Sequence, residues 1–313
     1  MTRSTGSETQ VSAAIGALGE LVSELEADRL LSEPDRFRER AKAIDRLDVY
    51  PLEEFLSGEC APSDADICHR AKAIYAGLEA RNVEFCDAIR EEIHSGGERD
   101  SLLRLAGHES GGTGTSSVAA GDHYDYLDGL VSGVLRFAEP DAGIGALAVD
   151  MVFYQPAPAR HIFDFIARAR ITERDVMIDL GSGLGHVPLL VSICTGARSV
   201  GIEVEPGYAD CARQSASEMN LSNVTFLRQD VRDADLSSGT VFFLYTPFIG
   251  GILRDVLGEL RRVASNHDVR VCTFGPCTET VGKEPWLERI GDLETGRIAV
   301  FRSADPEREP AIL

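Results

Sequence analysis

The chain has 313 residues, of which 43% are hydrophobic, and its formal net charge is −20 at pH 7. This length holds one large domain or two smaller ones, and the apolar content is sufficient for a sizeable core. An acidic surface repels phosphate backbones and anionic lipid, so the composition argues against nucleic acid and membrane surfaces as partners.

Seven cysteines are scattered through the chain without a repeating spacing. This pattern predicts reduced thiols rather than a disulfide framework, and we expect no metal site. The first ten residues are polar and lack the apolar core of a signal peptide, and no apolar run approaches the roughly 20 residues of a membrane span. The sequence therefore predicts a cytoplasmic protein that does not enter a membrane.

Taken in chain order, the N-terminal third is predicted to be helical. Residues 1–10 are polar and are expected to form a disordered tail. Apolar residues with helical spacing between 11 and 94 predict a helical region, with a helix over 11–31, a short helix over 34–47 and one or two helices over 63–93.

The composition changes at residue 95. Glycine, serine and threonine are abundant in 95–121, which predicts a flexible linker; the alternative is a lid over an active site. Residues 122–149 are expected to form a connecting helix over 122–137, followed by a bend rich in proline and glycine. A further helix is predicted over 159–169, directly after two closely spaced prolines.

From residue 176 onward, strand patterns alternate with helical patterns. The predicted strands lie at 176–179, 200–203, 224–227, 241–245 and 269–274. The predicted helices between them lie at 187–193, 208–219 and 253–263, and a final hairpin is predicted over 286–302. This alternation predicts an α/β fold whose sheet is mostly parallel and has an antiparallel edge.

The segment from Val176 to Glu205 carries the clearest chemical signal. A strand ends at Asp179, a turn with the sequence GSGLG follows at 181–185, and a second strand ends at Glu203. Glycines let the backbone turn tightly and leave no Cβ between backbone and ligand. The next helix directs its N-terminal N–H groups at the turn, and a carboxylate at the end of the second strand can accept both hydroxyls of a ribose. The segment therefore suits an adenosine-like ligand.

Two ligand classes compete for such a turn. A dinucleotide fingerprint has the spacing GxGxxG, whereas Gly181, Gly183 and Gly185 give GxGxG, and His186 stands where the third glycine of the fingerprint belongs. An ordinary strand-to-helix turn is the remaining alternative. The acidic residue that closes the second strand favours a nucleoside ligand, and the glycine spacing favours S-adenosylmethionine (SAM) over a dinucleotide.

These motifs resemble those of the class I SAM-dependent methyltransferases. The resemblance implies a Rossmann-like, seven-stranded, mostly parallel sheet with helices on both faces over 150–305, followed by a tail at 306–313. It implies that SAM is the cofactor and that its binding residues are Tyr154, Asp179, Gly181, Ser182, Gly183, Gly185, Glu203, Val204, Asp230, Val231, Tyr245 and Thr246.

Within that class, the turn and the YQPAP entry segment at 154–158 are similar to the histone-core lysine methyltransferases of the disruptor-of-silencing type and their bacterial look-alikes. Amino-directed members often carry Asn or Asp before the proline that follows the fourth strand, and here that position is Thr246. A hydroxyl is a weaker acceptor, so transfer to the exocyclic amine of a base is disfavoured. His186, Tyr154 and Tyr245 are the candidates for a catalytic base.

The leading hypothesis is a methyltransferase that acts on an oxygen or nitrogen atom of a small molecule, with the N-terminal helices covering the pocket. The first alternative is a protein methyltransferase of the lysine type, whose basic target the acidic surface would attract. A module that binds SAM or S-adenosylhomocysteine (SAH) without catalysis is another alternative, and an NAD-dependent enzyme is a distant one. The oligomeric state is not assigned.

Overall fold

The structure, a computed structural model, describes residues 5–52, 62–97, 101–107, 124–138, 150–152, 154–294 and 296–304. Contacts between Cα atoms divide the chain into two units. The first contains residues 1–89 with 129–134, and the second contains 90–128 with 135–313. None of the described helices is long and apolar enough to cross a membrane.

The first unit is helical. Helix α1 (Thr5–Ala27) is followed by a 3-10 turn (Arg29–Ser32), α2 (Phe37–Asp48) and α3 (Pro62–His94), of which α3 reaches the second unit after Ile89. The core is formed by buried apolar side chains of these elements, which include Leu18, Val22, Leu47, Cys68 and Ala71.

One detail of this unit differs from the prediction. Helix α1 begins at Thr5, inside the stretch 1–10 that was expected to be a disordered tail, since polar residues can extend a helix beyond its buried stripe. Of the one or two helices predicted over 63–93, the structure has one, the continuous helix α3. Arg40 is buried between α2 and α3, where its guanidinium donates to Asn82 Oδ1 (2.7 Å) and to the carbonyl of Pro34 (3.0 Å).

The described part of the second unit contains a seven-stranded sheet with the strand order β3-β2-β1-β4-β5-β7-β6. The first five strands run parallel, and β7 is antiparallel to both of its neighbours. The strands are β1 (Val176–Leu180), β2 (Arg198–Glu203), β3 (Val224–Arg228), β4 (Val241–Leu244), β5 (Arg270–Thr273), β6 (Leu287–Ile290) and β7 (Ala299–Ser303). The predicted Rossmann-like fold class is confirmed.

The described helices after α3 are α4 (Ser101–Gly107), α5 (Tyr126–Leu135), of which residues 129–134 belong to the first unit, α6 (Ala159–Ala169), α7 (His186–Thr195), α8 (Pro206–Glu218), α9 (Gly250–Ala264) and α10 (Cys277–Val281). The sheet has helices on both of its faces. On one face, Ile178 of β1 shares a buried cluster with Leu253 of α9. On the other face, Phe243 of β4 packs on Phe165 of α6, with ring centroids 4.4 Å apart.

Residues 95–121 differ in part from the predicted linker or lid. Helix α4 forms inside this stretch and buries Leu102. The connecting helix over 122–137 is shorter than predicted and spans Tyr126–Leu135 as α5. The remaining parts of the predicted linker, the bend before residue 150 and the tail at 306–313 lie outside the described residues.

The order of the strands sets the position of the site. Strand β1 lies between β2 and β4, so the connections that leave β1 and β4 run to opposite sides of the sheet. A crevice opens at the carboxyl ends of the strands at such a switch point, and ligands of open α/β sheets bind there.

Residues 150–152 lie just before the YQPAP entry segment, and Met151 and Val152 line this crevice. The carboxylate of Asp150 accepts the N–H of Gly251 at the start of α9 (2.9 Å), and the N–H of Val152 donates to the carbonyl of Pro247 (3.1 Å). These bonds join the segment before α6 to the loop after β4. We call this connection the entry clasp.

Candidate functional site

A cavity of about 630 Å³ lies at the carboxyl ends of the parallel strands. Its wall contains Asp179 from β1, Glu203 from β2, Asp230 after β3 and Tyr245 after β4. Its volume is typical of small-molecule pockets, which range from about 300 to 1,000 Å³.

Most of the predicted site residues meet at this cavity. Those that line it are Tyr154, Asp179, Gly181, Ser182, His186, Glu203, Val204, Asp230, Val231, Tyr245 and Thr246. Gly183 and Gly185 belong to the same turn, where both have a positive φ, and their predicted contact with the cofactor stays a prediction.

Two positions of the turn require glycine, both for their backbone conformation and because a Cβ would have no room. Gly181 and Gly183 have φ values of 99° and 52°, which side chains rarely permit. A Cβ on Gly181 would overlap Pro247, and a Cβ on Gly183 would overlap the ring of Tyr154. The two glycines therefore let the loop after β4 and the entry segment approach the turn.

Glu203 is fixed by the backbone of the turn. One carboxylate oxygen accepts the N–H of Gly183 (2.7 Å), and the other accepts the N–H of Glu205 (2.8 Å). Glu203 is 9% exposed. Burial raises the pKa of its carboxyl, while the backbone N–H groups act in the opposite direction. Each oxygen keeps a lone pair for a hydroxyl donor in the cavity.

Asp179 and Ser182 are polar groups that the protein leaves available to a ligand. Asp179 is 4% exposed, and burial, together with the charge of Glu203, raises the pKa of its carboxyl well above 3.8. Ser182 is 7% exposed, and its hydroxyl has no hydrogen-bond partner within the described part of the chain. Buried polar groups are nearly always paired, so this pattern fits a ligand with a cationic amine and further polar atoms.

Tyr154 covers the turn. Its ring packs on Tyr208 with centroids 4.7 Å apart, and its hydroxyl accepts the N–H of Leu184 (3.4 Å) and lies 3.5 Å from His186 Nδ1. Burial raises the pKa of Tyr154 and lowers the pKa of His186 to about 4. At neutral pH, therefore, Tyr154 is a protonated phenol and His186 is an uncharged imidazole.

Tyr245 belongs to a stack of aromatic rings behind the cavity wall. Its ring is parallel to that of Phe274 within 5°, with centroids 4.9 Å apart. Its hydroxyl lies 3.0 Å from Nδ1 of His161, which is 4% exposed. The hydroxyl thus lies where the cavity wall meets the core.

Thr246 lines the cavity, but its hydroxyl is engaged elsewhere. It donates to the carbonyl of Phe274 (2.6 Å) and accepts the N–H of Cys277 (3.3 Å). Thr246 also has a φ of 49°, an unfavourable conformation for a β-branched residue. The two bonds hold Thr246 in this conformation, because they tie it to the end of β5 and to the first residue of α10.

Asp230 is paired with a neighbour. Both of its carboxylate oxygens accept from the guanidinium of Arg232, at 3.0 and 2.6 Å. Hydrogen bonding to Arg232 lowers the pKa of Asp230, so the carboxylate is charged at neutral pH. Val231 and the exposed Val204 lie beside it on the wall.

Sequence reasoning did not single out several residues of the wall. They are Met151, Val152, Tyr208, Gln229, Ile249, Ile252 and Pro276. The helix that begins at the glycine pair 250–251 has no capping side chain of its own. This pattern in the sequence could have predicted a contact such as the entry clasp. Its free N–H groups require an acceptor from elsewhere in the chain.

Comparisons with known proteins agree with this geometry. A family model described as "Histone methylation protein DOT1" matches residues 153–241. An uncharacterised protein of Methanocaldococcus jannaschii is 27% identical over 116 residues, which are 35% of this chain and 47% of the relative. The chain thus spans about half the length of the curated relative that it matches.

Two solved structures illustrate the structural similarities. An RNA methyltransferase from Salinibacter ruber, in complex with S-adenosyl-L-homocysteine, is 29% identical and has a TM-score of 0.38, covering 51% of this chain and 99% of that one. A precorrin-6y C5,15-methyltransferase from Geobacter metallireducens is 18% identical with a TM-score of 0.36, covering 51% and 92%.

The strand order, the cavity at the strand ends and the family match over 153–241 agree with one another. The sheet and its helices are similar to a class I SAM-dependent methyltransferase domain, and the stretch that matches the DOT1 model contains the glycine turn.

Proposed function

We propose that this chain transfers a methyl group from SAM to an oxygen or nitrogen atom of a small-molecule acceptor. The observation that carries the proposal is the composition of the cavity wall around the end of β4. There the wall is rich in aromatic and cyclic side chains, beside Thr246 and Ile249: Phe243, Tyr245, Pro247, Phe248 and Pro276. Pockets for small molecules are mostly apolar with a few placed polar groups, which this wall resembles.

The cofactor residues follow from the same wall. Glu203 accepts the ribose hydroxyls, while Asp179 and Ser182 hold the amine and carboxylate of the methionine part. Asp230 accepts the adenine amine, and Val231 packs on its ring. When bound, SAM supplies a methyl group on a sulfonium, which is already a good leaving group. The protein therefore mainly positions the reactants and excludes water.

The three candidate bases differ in their ability to accept a proton. Because burial raises the pKa of Tyr154, its phenol stays protonated and serves to orient rather than to accept a proton. His186 is uncharged at neutral pH because burial lowers its pKa to about 4, so it is a weak base. Tyr245, on the cavity wall after β4, is the remaining candidate.

The first experiment is calorimetric titration with SAM, SAH and NAD in parallel. We expect binding of SAM and SAH and none of NAD. Transfer of a labelled methyl group is then measured against three panels: small phenols and amines, basic peptides including histone tails, and RNA. Methylation confined to peptides or RNA would contradict the small-molecule acceptor.

A protein acceptor is the second candidate. The family model that matches residues 153–241 is named for histone methylation, and the net charge of −20 would attract a basic polypeptide. Methylation of the basic peptides alone, with suppression by added salt, would favour this alternative because salt screens such attraction.

A further inference from the structure

Acidic side chains line the cavity, and they are those of Asp179, Glu203, Glu205 and Asp230. Within the described residues the wall contains no lysine or arginine, and its histidine, His186, is uncharged at neutral pH because burial lowers its pKa to about 4. In the sequence, the stretches 108–123 and 139–149, before and after α5, contain no lysine or arginine either. An anion that enters this cavity is therefore repelled rather than attracted.

Helix N-termini attract anions because their N–H groups point outward, and two helices begin beside the cavity wall. Both of these N-termini already hold a carboxylate of the protein. At α6, Asp128 Oδ1 accepts the N–H of Ala159 (2.7 Å), and at α9, Asp150 Oδ2 accepts the N–H of Gly251 (2.9 Å). A further anion at either N-terminus would meet a like charge. The N-terminus of α7, at the glycine turn, belongs to the proposed cofactor site.

The end of the cavity near β4 presents apolar surface instead. Val152 and Ile249, which belong to the two segments of the entry clasp, line the cavity and are 40% and 45% exposed. The hydroxyl of Thr246 donates its proton to the carbonyl of Phe274 (2.6 Å), so it does not donate to an anion in the cavity. Covering the exposed apolar side chains favours binding of an apolar molecule.

We infer that the acceptor is an apolar small molecule without an anionic group, and that a carboxylate or phosphate on the acceptor prevents its binding. The inference rests on the proposed function, since it concerns the same cavity, and it narrows the acceptor class. A positive charge is tolerated, because carboxylates and the faces of aromatic rings both attract cations. Nucleotides and other phosphorylated molecules fall outside this class.

The test compares three probes that share a phenyl ring with one carbon attached and differ in charge: benzylamine, benzyl alcohol and benzoate. Their dissociation constants for the complex of the protein with SAH are measured at neutral pH by saturation-transfer difference NMR. SAH fills the cofactor part of the cavity, so the probes report on the part that remains for the acceptor.

Three variants separate charge from shape. Asp150→Asn keeps an oxygen that accepts the N–H of Gly251 but removes the negative charge, and asparagine tolerates the φ of 75° at this position. Ile249→Lys adds a positive charge at an exposed position of the wall, and Ile249→Met is its uncharged control. The Tm and the affinity for SAH verify that each variant is folded.

We expect wild type with SAH to bind benzylamine and benzyl alcohol more tightly than benzoate. Asp150→Asn and Ile249→Lys should each strengthen the binding of benzoate by about two- to fivefold, the effect of one partly exposed charge, and Ile249→Met should not. The affinity for benzyl alcohol, which has no charge, should change little in Asp150→Asn. A gain for benzoate in either charge variant that is absent from Ile249→Met supports the inference.

Benzoate that binds wild type as tightly as benzyl alcohol would overturn the inference, and so would an unchanged affinity for benzoate in both charge variants. Failure of all three probes to bind the SAH complex would overturn it as well, because the apolar end would then hold no small aromatic molecule. If one charge variant does not fold, the other decides. A wild-type protein that binds neither SAM nor SAH contradicts the proposed function instead.

Discussion

Replacement of Glu203 by glutamine is the sharpest test of the cofactor site. The carboxylate accepts the N–H of Gly183 (2.7 Å) and the N–H of Glu205 (2.8 Å), one on each oxygen. Glutamine keeps one carbonyl oxygen and presents an NH₂ group in place of the other. One of the two backbone donors then faces another donor, and the proposed ribose contact loses its charge.

A hydrogen bond to a charged group contributes roughly 1.5–3 kcal/mol. The loss of one such bond to the ribose corresponds to an affinity for SAH that is about ten- to a hundredfold weaker in Glu203→Gln. Calorimetric titration measures this directly, and circular dichroism verifies that the variant is folded.

The matched control is Glu288→Gln. Glu288 is also a paired carboxylate, which accepts two bonds from Arg302 (3.0 and 2.7 Å) on the pair β6–β7. Because Glu288 is not part of the cavity wall, this variant should bind SAH like wild type. If Glu203→Gln also binds SAH like wild type, the assignment of Glu203 is refuted.

Three further predictions concern the turn and its neighbours. Burial raises the pKa of Asp179 above 3.8, so the cofactor-free protein loses stability as the pH rises from that value through the folded pKa. Asp179→Asn should remove this loss of stability, so that its Tm at pH 8 is higher than that of wild type, while its SAM binding is weaker. Gly183→Ala should lower the free energy of unfolding by about 1–3 kcal/mol, and with it the Tm, and should lose SAH binding, because its Cβ would overlap Tyr154. Gly77→Ala in α3 is the control, because a Cβ there meets nothing within 4 Å and should not lower the Tm. Equal Tm values for the two variants would contradict the packing argument. Burial lowers the pKa of His186 from 6.5 to about 4, so between these pH values the unfolded chain binds a proton that the folded chain does not, and stability falls as the pH drops. His186→Gln should reduce this dependence of the free energy of unfolding on pH, measured by urea unfolding. An unchanged dependence would show that another group is responsible.

The helices and strands of the sheet domain could be predicted from the sequence because they depend on local patterns of residues. The helix over 159–169 was predicted with the bounds that α6 has, and the strands from 176 onward were found within a few residues. Apolar periodicity and glycine spacing report on short stretches of chain, and the family resemblance supplied the number of strands and their mostly parallel arrangement.

Contacts between segments that are distant in the chain could not be predicted from such local patterns. The bond between His161 and Tyr245 joins residues 84 positions apart, and Asp150 reaches Gly251 across 101 positions. Nothing in the local sequence of Thr246 indicates that its hydroxyl is engaged with Phe274. Such pairings depend on the register of the sheet and on side-chain rotamers, which composition and periodicity do not encode.

The entry clasp has a consequence for engineering the acceptor preference. Because Asp150 and Val152 are bonded to the backbone at Gly251 and Pro247, the segments on the two sides of the clasp are one mechanical unit although they are about a hundred residues apart in the chain. A graft that exchanges only the loop after β4 for one of another shape would shift the N–H of Gly251 away from the Asp150 carboxylate. Residues 150–152 and 246–251 must therefore be exchanged together, as a single cassette.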